Sequence, residues 1–488
     1  MSTKGIRANR DLTSGALLPK IILFTLPLIA TGILQLLFNT ADTVVVGRWG
    51  GETKEAREAA LAAVGSCGAL INLIINLFFG LSVGAGVCVA QELGARQYHE
   101  VKKTVHTSVL TAMLCGVVVA VIGFFLARPL LTLMGTEPAV LDEAVPYMRA
   151  YFIGAPANMV YNYCASMLRS TGDTTHPLVF LSIAGAVNVC LNLVMVIVFG
   201  LGALGVGIAT AVSQWISCIL ILRHMIRLDD HCHLDLRALK IDPIKLKKVV
   251  AIGVPAGLQG MVFSLSNVLI QSSVNSFGQT TVAANTAAAN LTDYIYIAEN
   301  SLYHAALTFV GQNAGAQNYR RVRQSIFCCA GTVTVLGIVL GGLVILFGEP
   351  LLSIFAPGNE SVIHIGMVRV RILSATYFTC GLMDVGSGVL RGLGKSFRAM
   401  IISLVGSCVT RIIWIYTVFA ADHTLEVLYA CYPLSWVLTA TTHFTVAFVV
   451  LHKLEKQKQA DLTVDVNVNV NVNVNVNATE AESEEVSE

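Results

Sequence analysis

Apolar stretches of about 20 residues recur along the chain, separated by short polar, charged or Pro/Gly-marked breaks. That length crosses the ~30 Å hydrocarbon core of a bilayer as an α-helix, because helices satisfy their own backbone polar groups. The windows predict twelve spans, at 20–46, 60–86, 105–127, 146–168, 177–199, 204–224, 248–275, 282–308, 325–347, 367–390, 397–420 and 425–451. A transmembrane barrel would instead alternate apolar and polar residues in segments of about ten. Only the tail alternates, in V464-D-V-N-V-N and its continuation to Asn477. The expected fold is an all-α polytopic membrane protein.

Composition agrees: 55% of the 488 residues are hydrophobic and only 13% charged, with a mean hydropathy of +0.69. Charge then orients the spans. With the N-terminus inside, 24 of the 32 Lys and Arg fall on the cytoplasmic side; seven fall outside and Arg411 lies within a span. Moving the map by one span would erase this bias. Both termini are therefore expected in the cytoplasm of a multi-pass protein of the plasma (inner) membrane. No cleavable signal is evident at the start. The net charge of +2 gives no reason to expect nucleic acid. The twelve cysteines lie mostly in apolar segments and read as small buried hydrophobes.

The chain also repeats itself. Q91-E-L-G-A-R-Q-Y-H-E-V-K102 returns as Q312-N-A-G-A-Q-N-Y-R-R-V-R323, at an offset of 221 residues. L168-R-S-T-G172 matches L390-R-G-L-G394, and Pro27 with Asn39 matches Pro255 with Asn267. Six spans separate the copies, so both halves keep one orientation, as parallel repeats about an axis along the membrane normal. The expected organisation is a cytoplasmic N-terminus (1–19), a six-helix lobe (20–224), a cytoplasmic linker (225–247), a second six-helix lobe (248–451) and a disordered cytoplasmic tail (452–488).

Ionisable groups inside spans cost roughly 2.5–3.5 kcal/mol at the bilayer centre and are functional candidates by default. Asp42 stands near the outer end of the first span, where it is either an interfacial acid beside Arg48 and Trp49 or a cation-coupling carboxylate. Asn188 and Asn192, at i and i+4, share one face of the fifth span, and Thr210 on the sixth could add a hydroxyl. Together they make a hard-oxygen set suited to a small cation or a proton. The alternative role for the two asparagines is gluing helices by hydrogen bonds. Gln35 and Asn39 fall one turn apart and could line the same wall as Asp42. In the second half Glu299 and Asp384 are candidates for a substrate cavity, with Asp293 less favoured. Arg411 requires pairing and is expected to take one of these acids as counter-ion. The loop D229-D-H-C-H233 reads as solvated rather than metal-binding, and no P-loop is present. No nucleophile or metal constellation suggests an enzyme, and neither a cofactor nor a resident metal is expected.

On the two-lobe plan stand, in order, L26-P27, A41-D-T-V-V-V-G-R48, Q91-x-x-G-A, L168-R-S-T-G-D173 and G205-V-G-I-A-T-A-V-S-Q214. In these motifs the chain resembles the multidrug and toxic compound extrusion (MATE) family, in particular its bacterial NorM- and DinF-like members. The resemblance implies an antiporter in which inward Na⁺ or H⁺ drives export of small amphipathic, usually cationic, compounds. It also implies that Asp42 is the key acid of a first-lobe cation site, where Na⁺ would bind transiently, and that Gln35 faces the cavity. Two departures bear on coupling. Many members carry an aspartate where this chain has Asn192. NorM-like members carry a glutamate in the seventh span, absent from G257-L-Q-G-M-V-F-S-L-S-N267. Coupling is therefore expected to rest on the first lobe. A lipid-linked oligosaccharide or precursor flippase of the same superfamily is the alternative reading. The chain is expected to work as a monomer, with the bilayer as its other partner.

Overall fold

The structure, a computed structural model, describes residues 11–485, and no strand occurs among them. Lys4, Arg7 and Arg10, counted among the cytoplasmic basic residues, lie outside the described residues. Besides a 3-10 turn at Leu236–Ala238, the described residues form thirteen helices: α1 Leu17–Trp49, α2 Lys54–Gly94, α3 Tyr98–Leu133, α4 Pro138–Ser170, α5 Thr175–Val198, α6 Gly202–Ile226, α7 Pro243–Asn275, α8 Gln279–Gly315, α9 Tyr319–Leu346, α10 Gly348–Phe355, α11 Glu360–Gly392, α12 Ser396–Phe419 and α13 Leu425–Glu485. Each expected span falls within one of these, apart from a residue or two at its ends, and α10 is a short extra turn. Nine helical stretches among the described residues are long and apolar enough to cross a membrane. α4, α8 and α11 fall short of that apolarity.

Helix ends follow local chemistry. The Asp242 side chain accepts from the Ile244 and Lys245 backbone N–H groups, and Pro243 occupies the first turn of α7. α4 and α11 both end in Schellman turns. Gly172 at φ +87° and Gly394 at φ +74° take the left-handed position, while the Asp173 and Lys395 N–H groups reach back to the Leu168 and Leu390 carbonyls. α13 runs on through the Val-Asn repeat, where a disordered tail is expected. The repeat supplies neither an apolar stripe nor strong helix formers to account for that helix.

The repeat predicted from motifs reappears as geometry. Arg96 and Gln317, at the 221-residue offset, are the two non-glycine residues with positive φ among the described residues. A π-helical turn at Val194–Val198 in α5 recurs at Ile415–Phe419 in α12, again 221 residues on. The two copies also grip each other. The Gln91 side-chain amide donates to the carbonyl of Gly392, the last residue of α11, at 2.8 Å. The Gln312 amide donates to the carbonyl of Ser170, the last residue of α4, at 2.6 Å. Each half thus caps a helix end of the other. The backbones must approach closely there: a methyl group on Gly94 would run into the Gln312 carbonyl oxygen, and one on Gly315 into that of Gln91. Farther along α2, Gly80 and Gly84 pack against the α7 backbone around Gly253 and Gly257.

A buried charge network ties the halves at the same end. Lys245, on α7, donates to Glu92 of α2 at 2.5 Å and Glu100 of α3 at 2.7 Å, and Thr104 donates to the second Glu92 oxygen. The linker is held against α3, with the Asp235 N–H on His106 Nε2 and the Asp242 N–H on Thr107 Oγ1. The ligand-type residues of its D-D-H-C-H stretch diverge: His231 stacks on Tyr98, Cys232 is fully buried, and His233 Nδ1 meets the Leu228 carbonyl. All twelve cysteines are unbridged, most of them buried.

Candidate ion-coupling site

α1 carries Asp42 two turns before its end, and α5 and α6 pack against this helix. The fit of α1 against α5 depends on Gly185, whose missing side chain leaves room for the Phe38 ring. α5 presents Asn188 and Asn192, both buried, one turn apart just before its π-turn. The four residues expected to form a site meet. The Asn192 amide donates to the Asp42 carboxylate; the same nitrogen lies 3.3 Å from Asn188 Oδ1, and Asn188 Nδ2 lies 3.5 Å from Thr210 Oγ1. Asp42 is only half-buried. No Lys or Arg pairs with it among the described residues. The interfacial partners weighed for it, Arg48 and Trp49, are exposed.

The donor set fits a small hard cation or a proton. Asp42 supplies the charge, while Asn192 Oδ1 is buried and has no hydrogen-bond partner among the described residues. A buried amide oxygen without a donor is costly, and a cation or a protonated carboxyl would satisfy it. Sequence reasoning missed Tyr147 and Tyr151, one turn apart on α4, whose phenols lie within electrostatic reach of Asp42. The signal was there, as two hydroxyls one turn apart on one face of a span.

Of the remaining candidates, only Glu299 and Asp384 come within electrostatic reach of each other. Gln35 and Asn39 are exposed on α1, and Asp384 is half-buried on α11. Glu299, expected to line a cavity, is fully buried on α8, its carboxyl packed where side chains are missing at Gly337 and Gly381. It faces helix backbone, because those two glycines let α9 and α11 close over it. Asp293 is exposed. The acid expected to pair Arg411 is absent among the described residues. Its Nε donates to Ser435 Oγ at 3.0 Å and its guanidinium lies 4.5 Å from the Tyr432 ring centre. A hydroxyl and an aromatic face can hold a guanidinium where a carboxylate would add its own desolvation cost.

The second half does not repeat the polar cluster. The 228-residue offset between Pro27 and Pro255 carries Asp42 onto Ile270, and the 221-residue offset carries Asn188 and Asn192 onto Val409 and Ile413. One repeat keeps the polar set; the other is apolar there.

Comparison with known proteins agrees with this architecture. The MatE family model matches residues 27–194 and 255–417, one block in each repeat. The "Probable multidrug resistance protein YoeA" of Bacillus subtilis is 29% identical over 392 residues, 78% of this chain and 82% of that protein. An "FAD transporter" of Shewanella oneidensis is 24% identical over 382 residues, 76% of this chain and 82% of its own length. Among solved structures, an outward-facing MATE transporter of the MOP superfamily superposes with a TM-score of 0.84 at 20% identity, covering 93% of this chain and all of the other. The twofold family match lies on the same two repeats that grip each other through Gln91 and Gln312, and so the chain belongs to the multidrug and toxic compound extrusion family of multi-pass membrane transporters.

Proposed function

We propose that this protein is a secondary antiporter of the plasma (inner) membrane, exporting amphipathic, cationic organic compounds in exchange for Na⁺ or H⁺. The observation that carries this reading is the Asp42–Asn192–Asn188–Thr210 cluster: one carboxylate, uncompensated by any basic side chain among the described residues, set among amide and hydroxyl oxygens. An entering cation or proton neutralises Asp42 and relieves the Asn192 oxygen. The resulting rearrangement around α1 weakens the hold on substrate at the outward side. On the return stroke substrate displaces the ion, and the same acid is charged again.

Alternating access follows from the repeat. The basic-loop end, where Gln91 and Gln312 cap helices of the opposite half, is the cytoplasmic gate in this reading, and it is closed. Opening inward breaks these two hydrogen bonds, parts the Lys245–Glu92–Glu100 network and separates the glycine-lined crossings, while the twelve spans and both cytoplasmic termini keep their places. Asp384, half-buried in the second half, favours cationic over anionic cargo.

Transport in proteoliposomes tests the reading. A fluorescent organic cation should move against its gradient under an imposed Na⁺ gradient or an imposed pH gradient, each applied alone. Dye movement that ignores both gradients would exclude ion-coupled export. Gradient-independent movement of an anionic lipid precursor would favour a flippase.

A further inference from the structure

Away from the Asp42 cluster, at the basic-loop end, three metal-ligating side chains from distant stretches converge. Asp173 follows α4, His176 lies in the first turn of α5, and His224 lies in the last turn of α6. The Schellman turn at Gly172 sets Asp173 in place through its N–H bond to the Leu168 carbonyl. One carboxylate oxygen, Oδ1, then accepts from the His176 backbone N–H at 3.2 Å and so caps α5. The other, Oδ2, lies 2.7 Å from His176 Nδ1 and 4.0 Å from His224 Nε2. All three ligand atoms lie within 4.8 Å of one another. The Asp173 side chain is 3% exposed, His224 20% and His176 42%, which gives the cluster a closed floor and one open side.

We propose that Asp173, His176 and His224 form a binding site for a first-row divalent cation, Zn²⁺ above all. Two imidazoles and one carboxylate, with water in a fourth position, are a donor set that zinc takes at ~2.0–2.2 Å. Tetrahedral bonds of that length hold ligand atoms about 3.3 Å apart. The two observed separations from Asp173 Oδ2 bracket that value, one shorter and one longer. The His176 and His224 rings are stacked, with centres 4.2 Å apart and planes at 24°. Binding therefore turns the His224 ring until its Nε2 and the His176 nitrogen point at one centre. Oδ1 keeps capping α5 throughout, so the carboxylate is oriented by a hydrogen bond that the ion does not displace. The C-terminal end of α6 favours a cation and the N-terminal end of α5 opposes it; the carboxylate supplies the charge that decides between them.

This site is independent of the transport reading, and its position gives it a consequence. It joins the ends of α5 and α6, the two helices that carry Asn188, Asn192 and Thr210 farther along. A bound ion is a clip between the helices that frame the candidate coupling site.

The test is Zn²⁺ binding to the purified full chain in detergent, with any affinity tag removed, by calorimetry and by the shift in melting temperature. The wild type should bind a single equivalent and melt several degrees higher with Zn²⁺. His224→Phe, which keeps a stacked ring but removes the nitrogen, and His176→Ala should each lose both effects. A His231→Ala/His233→Ala control in the linker should retain them. The proposal is overturned if the wild type binds no Zn²⁺, or if His224→Phe binds it as the wild type does.

Discussion

An acid among valines near the end of the first apolar run is hard to justify as packing, and its neighbours give the reason it is tolerated. Asp42 meets Asn192, and Asn192 meets Asn188, so one carboxylate orders a short chain of amides. A hydrogen bond to a charged group is worth about 1.5–3 kcal/mol, and 1.4 kcal/mol is tenfold. Asn192→Leu should therefore reduce ion-driven export roughly ten- to hundredfold while leaving membrane insertion and melting temperature close to wild type; an unchanged export rate would remove Asn192 from the site. Asp42, Asn188 and Asn192 were legible as candidates because local rules suffice, an acid in an apolar window and two amides one helical turn apart. Their meeting with each other and with Thr210 is the work of three packed helices. The Glu299 environment was not, since its burial depends on Gly337 and Gly381 from two other helices. Arg411 misled for a similar reason. Charge pairing predicts an acid, whereas tertiary packing supplies Ser435 and Tyr432.

At the scale of helices, apolar run length places the nine most apolar long elements, because span length is set by the bilayer rather than by neighbours. The helices α4, α8 and α11 are read mainly from the breaks that flank them. What run length cannot show is how the halves hold each other. The duplicated glutamines stood out as motif residues, but their caps on Ser170 and Gly392 reach 142 and 301 residues along the chain. Gln91→Ala with Gln312→Ala should loosen this end: cysteine probes placed near Gly94 and Gly315 should label faster from the basic-loop side than in wild type, and equal labelling would show that the caps do not hold the gate. The Lys245–Glu92 pair is buried on both sides, with side chains 4% and 8% exposed. Breaking such a pair from one side costs about 3–5 kcal/mol, whereas replacing both partners is far less harmful. Glu92→Gln or Lys245→Met alone should lower the melting temperature markedly, and Glu92→Leu with Lys245→Met should recover much of it. A double variant no more stable than the singles would mean that the network rather than the pair carries the stability.

For the molecule as a whole, duplication supplies symmetry of backbone and asymmetry of chemistry. Positive-φ residues, Schellman turns and π-turns recur between the halves, yet the positions equivalent to Asp42, Asn188 and Asn192 are Ile270, Val409 and Ile413. A symmetric scaffold can rock between two states while the polar cluster, and with it the proposed response to an ion, belongs to one half. That division makes a topological prediction as well: reporters fused at either end of the chain should both read as cytoplasmic, and opposite readings would break the even count of spans. The central claim rests on Asp42, and export of a fluorescent organic cation from proteoliposomes, comparing wild type with Asp42→Asn under the same imposed ion gradient, tests it most directly. The account predicts that the variant melts like the wild type but no longer moves dye in response to the gradient. Gradient-driven export at the wild-type rate by Asp42→Asn would contradict it.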